Sequence, residues 1–506
     1  MAVNAYVKYM QRKTGLRSIM FVGTGSDVGK SVLTAGFCRI FRQDGHTPAP
    51  FKAQNMSLNS YATPEGLEIG RAQAVQAEAC GIPCHTDMNP VLLKPTTDRH
   101  AQVVLHGKPT GNFSASEYFL SGSREALFTE VQDAYHRLAS RYCPIVMEGA
   151  GSISELNLKH LDITNMRMAI AAGAATYLIA DIDRGGVFGS CYGTMSLLSA
   201  EERACIKGII INKFRGDARL FDDGKAQLAQ LCDVPVIGVI PFFRDIFIEE
   251  EDAINPTDKA RNYLPGKVNI AIVLLQRLSN FTDFHHLSRD HRVNVYYSRR
   301  PEDIGKADII ILPGSKNTIE DLATLHDTGM VHTIRQAYHA KKTIIGICGG
   351  YQMLGQRIDD PYGVETTAGS LEGIGILPVS TVLQQHKTTL QRQFRFRGNA
   401  AICEGYEVHM GETRALEKES PLNQFVDTPD GRTGADGYFL NDRCWGTYLH
   451  GILDNTTVID TLLAPYTDTL GQMPDHRQYK EEQYDKLAAL LREHLDIEYI
   501  YKTLES

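Results

Sequence analysis

Ser18-Ile-Met-Phe-Val-Gly-Thr-Gly-Ser-Asp-Val-Gly-Lys-Ser31 decides the fold of the first half of the chain. The apolar run up to Val22 reads as a buried strand. A glycine-rich turn follows, and then a helix over 30–42. In a strand–loop–helix of this kind, backbone N–H groups at the helix N-terminus cradle phosphate. Gly25 and Gly29 let the backbone approach it, Lys30 neutralises its charge, and Ser31 can hold Mg²⁺. The strict motif has glycine six residues before the lysine. Here that position is Thr24, flanked by Gly23 and Gly25. A glycine-rich turn without a ligand is the rival reading, and the strand before and helix after favour the phosphate loop.

Outward from this loop, four more apolar runs end in polar or glycine-rich loops: PIVMEGAGS (144–152), ATYLIADID (175–183), IKGIIINKF (206–214) and VPVIGVIPF (234–242). An Ala-rich stretch over 69–80 reads as a helix. Continuous apolar strands alternating with helices predict a parallel sheet covered on both faces. Glu148 ends a strand, where a carboxylate can bind Mg²⁺ directly or through water, or can cap a turn. Asp181 and Asp183 end another and bind metal or substrate, or form ion pairs with Arg184. Asn212 stands where many phosphate-loop proteins read the nucleotide base.

Residues 249–267, EEEDAINPTDKARNYLPGK, carry acids and two prolines with no apolar period, which predicts a boundary. Beyond it the strand–helix alternation restarts at 268–275, 293–298, 307–315 and 343–350. The last of these ends in Gly346-Ile-Cys348-Gly-Gly-Tyr-Gln352. A cysteine on a sharp strand-to-helix turn is presented outward, and a helix N-terminus favours a thiolate. The glycines after it let N–H groups point at an oxyanion. Cys348 is therefore the candidate nucleophile, against the ordinary reading of a cysteine as a buried inert residue. His450, in GTYLHG at the end of another apparent strand, is the candidate base. Other groupings are weaker. Cys80, Cys84 and His85 lack metal-site spacing and read as a helix end. Asp283, with His285 and His286, reads as a loop or helix start rather than a metal site. His409 reads as a half-buried strand histidine. Residues 480–495 predict an amphipathic helix.

The chain has 506 residues, 43% hydrophobic and 22% charged, which excludes a disordered chain and predicts two or three domains. The net charge of −8 speaks against a nucleic-acid binder. Ten cysteines without a C-x-x-C pair argue against a disulfide framework and for a reducing cytoplasm. The N-terminus is basic without an apolar core, so it is not read as a signal peptide, and the longest apolar stretch, 168–180, is too short to span a bilayer.

Taken together, the two sites resemble one family. The first half is similar to dethiobiotin-synthetase-like P-loop ligases in its Gly-Lys-Ser loop and its Glu148-Gly-Ala-Gly151 segment. The second is similar to class I glutamine amidotransferase domains. That fusion is the mark of the glutamine-hydrolysing corrinoid amidases, and the resemblance covers roughly 18–495. FKAQNMSLNS (51–60), DIDRGGVF (181–188), SNFTDF (279–284) and GYEVHMG (405–411) resemble the branch that amidates the b, d, e and g carboxylates of adenosylcobyrinic acid a,c-diamide. The sister branch, the a,c-diamide synthases, carries a Gly-Pro-Asp-Tyr type segment where this chain has Ala53-Gln-Asn-Met-Ser57.

The resemblance implies two doubly wound α/β domains with parallel sheets, P-loop NTPase-like and then flavodoxin-like. Their expected bounds are an extension over 1–17, a synthetase domain over 18–250, a linker over 251–267, an amidotransferase domain over 268–460 and a helical segment over 461–506. It implies Cys348 as nucleophile, His450 as base, and oxyanion-hole amides from Gly314 in PGSKNT and from Gly349. It also implies ATP and Mg²⁺ as cofactors, glutamine as ammonia donor, and cobalt only within the corrinoid polycarboxylate substrate. No nucleic-acid or membrane partner is expected, and an oligomer is compatible. Triad amidotransferases carry Glu two residues after the histidine, where this chain has Ile452. The group that orients His450 is thus open, with Asp454 the acid named by proximity alone. The rival from another class is a ParA-like switch ATPase with a vestigial amidotransferase domain. Such a domain is expected to lose its cysteine or histidine, and this chain keeps both.

Overall fold

The computed structural model describes residues 15–96, 100–114, 124–249, 263–366, 369–426, 434–468 and 474–505. Most of the expected extension (1–14) and most of the expected linker (251–262) lie outside them, as does residue 250.

Six strands form the first sheet, in the order Val236–Pro241, Ile206–Phe214, Ala175–Asp181, Ile19–Gly23, Ile145–Glu148, Ala49–Phe51, and every pairing is parallel. Ile19–Gly23 is fully buried and sits between neighbours that come much later in the chain. The connections therefore leave in opposite directions from this strand, and a crevice opens at its carboxyl end. The phosphate loop, Glu148 and Asp181 all stand at that edge.

The second sheet runs Val293–Ser298, Val268–Val273, Ile309–Leu312, Thr343–Ile347, Cys444–Thr447, Tyr438–Asn441. It is parallel except for its last strand, which pairs antiparallel as an edge. Three adjacent strands thus aim their carboxyl ends at one place: Leu312 leads to Gly314, Ile347 to Cys348, and Thr447 to His450.

Two antiparallel features go beyond the expected pair of doubly wound sheets. A long hairpin, Val379–Phe396 with Cys403–Ala415, arches beside the amidotransferase sheet. The strands Val91–Pro95, His100–Leu105 and Lys108–Ser114 form a small meander on the first domain. The stretch expected to be helical from Ile69 begins as a strand, Glu68–Gly70, and turns helical at Arg71–Cys80.

The C-terminal segment does not stand apart. Helix His476–His494 lays Leu487 and Leu491 against the phosphate-loop helix Lys30–Gln43, where the absent side chain of Gly36 makes room for both. Leu487, Leu491, Ile500 and Leu504 belong to one apolar cluster with Phe21, Phe37 and Phe41. The chain thus leaves the first domain, builds the second, and returns to cover a face of the first.

Candidate active sites

At the phosphate loop, Gly29 adopts a left-handed φ of 100°, and a Cβ there would collide with the Asn212 amide. Only glycine serves at such a position. Lys30 is buried, and its ammonium donates to the Gly25 and Gly151 carbonyls, each at 2.9 Å, spanning the loop mouth. Ser31 Oγ donates to Glu148 Oε1 at 2.8 Å. The same carboxylate accepts from Lys52 Nζ at 2.8 Å and from Gln76 Nε2 at 2.7 Å. Burial by itself would raise the Glu148 carboxyl, but the Lys52 ammonium and these hydrogen bonds outweigh it and hold the group below its ordinary value. A hydroxyl and an ionised carboxylate side by side are hard oxygen donors that suit Mg²⁺.

Other expected residues fall differently. Asn212 Nδ2 donates to the Val28 carbonyl at 2.8 Å, and Oδ1 accepts from Lys213 N at 2.8 Å. Its amide thus braces the phosphate loop beside the nucleotide crevice. Asp181 pairs with Lys213 at 3.1 Å and Asp183 with Arg215 at 2.5 Å, so the ion-pair reading describes them, with partners other than the expected Arg184 dominating. Lys52 and Gln76 were not singled out from sequence. Lys52 lies inside the FKAQNMSLNS segment, so the signal was present without its role.

In the second domain, Cys348 caps the helix Gly349–Leu354 at φ 52° and ψ −110°. This is a strained conformation for a residue with a side chain, of the kind found at nucleophile turns. Its N–H is held by the Thr447 carbonyl at 2.7 Å. A Cβ on Gly350 would collide with the Leu312 carbonyl, which explains the glycine behind the nucleophile. His450 is 1% exposed and lies near enough to the Cys348 sulfur to feel its charge, while the Cys348 thiol donates to the Val408 carbonyl at 3.8 Å.

The group that orients His450 is Asp283. Its Oδ2 lies 2.7 Å from His450 Nδ1, and its Oδ1 accepts from Gly451 N at 2.9 Å. Asp283 is 2% exposed. This corrects two expectations: Asp283 is not merely a loop or helix start, and Asp454 does not orient the imidazole. Asp454 faces His476, 3.6 Å away, and burial together with Glu249 raises its carboxyl to about 8. Burial alone would push the His450 imidazolium down. The Asp283 carboxylate and the Cys348 sulfur outweigh burial and raise it to about 10.

Gly314 abuts this pair, for a Cβ on it would stand 3.1 Å from His450 Cε1. Lys316 N donates to the Arg277 carbonyl at 2.9 Å in a short antiparallel ladder. Bonds alternate along such a ladder, so the Ser315 N–H points out of it. The Ser315 nitrogen would lie 2.9 Å from a Cβ on Gly349. The loop therefore offers a backbone amide next to the helix that follows Cys348. His409 stacks on Tyr448 at 3.8 Å between ring centres, a half-buried strand histidine as read from sequence. All ten cysteines are free. Among the described residues no cluster of His, Cys, Asp and Glu is arranged to hold a metal, Cys80, Cys84 and His85 included. No described helix is long and apolar enough to cross a membrane.

Comparison with known proteins agrees with this two-site architecture. Residues 19–254 match the CobQ/CobB/MinD/ParA nucleotide binding domain, and residues 269–458 the CobB/CobQ-like glutamine amidotransferase domain. The chain is 59% identical to a cobyric acid synthase of Parabacteroides distasonis, over 98% of this chain and 100% of the relative. It is 56% identical to one of Phocaeicola vulgatus, over 97% and 99%. It is 57% identical to one of Bacteroides fragilis, over 97% and 98%. With a nucleotide-binding domain and an amidotransferase domain matched along nearly its whole length, the chain belongs to the cobyric acid synthases, glutamine-dependent amidotransferase ligases of cobalamin biosynthesis.

Proposed function

We propose that the chain amidates the b, d, e and g carboxylates of adenosylcobyrinic acid a,c-diamide, with glutamine as nitrogen donor and ATP as activator. The observation that carries this reading is the Asp283–His450 pair beside Cys348 in a chain that also holds a phosphate loop. A switch ATPase with a vestigial second domain has no use for such a pair.

In the amidotransferase site, the Cys348 sulfur attacks the side-chain amide carbon of glutamine. Backbone amides of Gly349 and the Gly314–Ser315 turn stabilise the oxyanion. At neutral pH the His450 imidazolium, with Asp283 behind it, gives its proton to the departing ammonia. The neutral imidazole then takes a proton from water, which splits the thioester and releases glutamate.

In the synthetase site, a corrinoid carboxylate oxygen attacks the γ-phosphorus of ATP and ADP leaves. The acyl phosphate is needed because a carboxylate is a poor electrophile without a leaving group. Ammonia attacks its carbonyl carbon, phosphate leaves, and an amide remains. Lys30 and the loop amides hold the phosphates. Ser31 and Glu148 would hold Mg²⁺, which neutralises phosphate charge when bound. Gly25 and Gly29 shape the loop. Asp181 and Asp183 border the same crevice as ion-paired acids, where they can meet metal or substrate. Ten free cysteines support a cytoplasmic setting, and the net charge of −8 supports small-molecule rather than nucleic-acid partners.

Product mass spectrometry tests the whole reading. The protein is incubated with glutamine, ATP, Mg²⁺ and the a,c-diamide. Conversion of the b, d, e and g carboxylates to amides is expected. Amidation of cobyrinic acid at the a and c positions in a parallel incubation, with the a,c-diamide left unchanged, would assign the chain to the sister activity, and no amide from either substrate would overturn the reading.

A further inference from the structure

The acid behind His450 sits on a turn that the other domain holds in place. Asp283 belongs to the short helical turn Phe281–Phe284, which starts at Asn280. Asn280 is buried and adopts a left-handed φ of 51°, a conformation asparagine tolerates better than most residues. The turn closes when Asp283 N donates to the Asn280 carbonyl at 3.1 Å. Two further bonds fix its entry, and both come from the synthetase domain. Phe281 N donates to Asn59 Oδ1 at 3.2 Å, and Ser60 N donates to Asn280 Oδ1 at 3.0 Å. The two asparagines thus exchange bonds across the domain boundary, each using its side chain to satisfy the other segment's backbone.

The same segment supports His450 from a second side. Tyr61 lies 4.5 Å from the ring of Tyr406, which stacks on His450 at 5.4 Å and 28°. Tyr406 and His450 also exchange backbone hydrogen bonds, at 3.0 and 2.8 Å. So Asn59, Ser60 and Tyr61, all from the synthetase domain, brace both the carboxylate and the ring face of the histidine. At its other end this stretch begins at Lys52, which binds Glu148 beside the phosphate loop. Seven residues of chain (Lys52 to Asn59) cover at most about 25 Å when extended.

We infer that Asn59 and Asn280 are positioning residues for glutamine hydrolysis, and that the amidotransferase domain reaches its working geometry only with the synthetase segment docked. Neither asparagine touches the reacting atoms. They act through Asp283, which holds the imidazole in line with Cys348. Hydrolysis in an undocked state would waste glutamine, and this arrangement suppresses it by leaving the dyad unaligned. The inference rests on the proposed roles of Cys348 and His450.

The full-length protein tests it, with glutaminase kcat and KM measured alongside amide synthesis driven by ammonium. Asn59→Ala and Asn280→Gly are expected to lower glutaminase kcat roughly ten- to hundredfold, the scale of an angstrom-level misplacement, with KM for glutamine changed by about twofold or less. Asn59→Asp keeps the acceptor oxygen and is expected to restore most of the rate. Asn280→Gly is expected to keep its ammonium-driven synthesis, which reports an intact fold. An unchanged glutaminase kcat in both variants would overturn the inference. So would equal loss with ammonium, or no recovery in Asn59→Asp, since either marks a structural role alone. The underlying reading fails separately: it falls if Cys348→Ala retains glutaminase activity, whatever the asparagine variants do.

Discussion

Asp283 and His450 stand 167 positions apart in the chain and 2.7 Å apart in the structure, both almost wholly buried. The carboxylate replaces, from another loop, the acid that triad amidotransferases place two residues after the histidine. Its charge keeps the imidazole protonated to about pH 10 against the cost of burial. The sign follows from the direction of that shift. The pair's contribution to stability is complete below the ordinary histidine value of 6.5 and is lost as pH rises through about 10.

Asp283→Asn removes the leading charge that raises His450. Glutaminase kcat is expected to fall by about two orders of magnitude or more, as misorientation of a catalytic imidazole does. The alkaline limb of the residual rate is expected to move toward neutral pH by about one unit or more. A pH–rate profile of glutamate release checks both. A profile superimposable on the parent's would remove Asp283 from its assigned role.

Cys348→Ala is expected to abolish amide synthesis from glutamine while synthesis from ammonium salts persists, because only the amidotransferase site loses its nucleophile. Parallel assays with the two donors decide it. Equal loss with both would mean that Cys348 serves the fold or the second reaction instead.

Glu148→Gln leaves Lys52 without its buried counter-charge and takes the carboxylate from Ser31. Synthesis with either donor is expected to fall by roughly a hundredfold or more, with glutaminase activity retained. Titration of ADP formation against Mg²⁺ is the check, and a variant with the parent's Mg²⁺ dependence would exclude Glu148 from holding the cation.

Glu68 is fully buried between two lysines, with Lys94 Nζ at 2.7 Å from the same domain and Lys387 Nζ at 2.5 Å from the long hairpin of the other. Burial would raise its carboxyl, but the two ammonium groups hold it well below the ordinary carboxylate range. The cluster therefore stabilises the protein above about pH 4.5 and fails as pH falls. Burial pushes the Lys387 ammonium down to about 7 even beside Glu68. Glu68→Gln therefore strands the Lys94 cation and drives Lys387 to its neutral form, and it is expected to cost about 3 kcal/mol, measured by denaturant unfolding at neutral pH. The same variant is expected to show a shallower loss of stability toward acid, and an unchanged midpoint would show that the cluster is not structural.

Leu487→Ala opens a cavity where the C-terminal helix covers Gly36. Its expected cost is about 2–5 kcal/mol, read in the unfolding of the nucleotide-binding domain although residue 487 lies beyond the amidotransferase domain in sequence.

Features written in adjacent residues could be read from the chain alone. The phosphate loop at 23–31 and the nucleophile turn at 346–352 are local. Strand period, glycine placement and the residues that follow fix each within a few positions, and Gly29 and Gly350 occupy the sites where a side chain would collide. The alternation of apolar strands and helices likewise announced two parallel sheets, because buried strands need no polar face. What the tertiary structure decided are pairings between distant segments. Asp283 looked like a loop acid because its partner lies in another loop, and Asp454, closer in sequence to His450, turns toward His476 instead. Lys52 acquires meaning only when the sheet brings its strand beside Glu148. Helix His476–His494 showed an apolar stripe, but which face it covers depends on the shape of the first domain around Gly36. Proximity along a chain constrains only a few residues to either side. The contacts that orient a histidine or join two domains depend on how whole elements pack, and no spacing in the sequence records that.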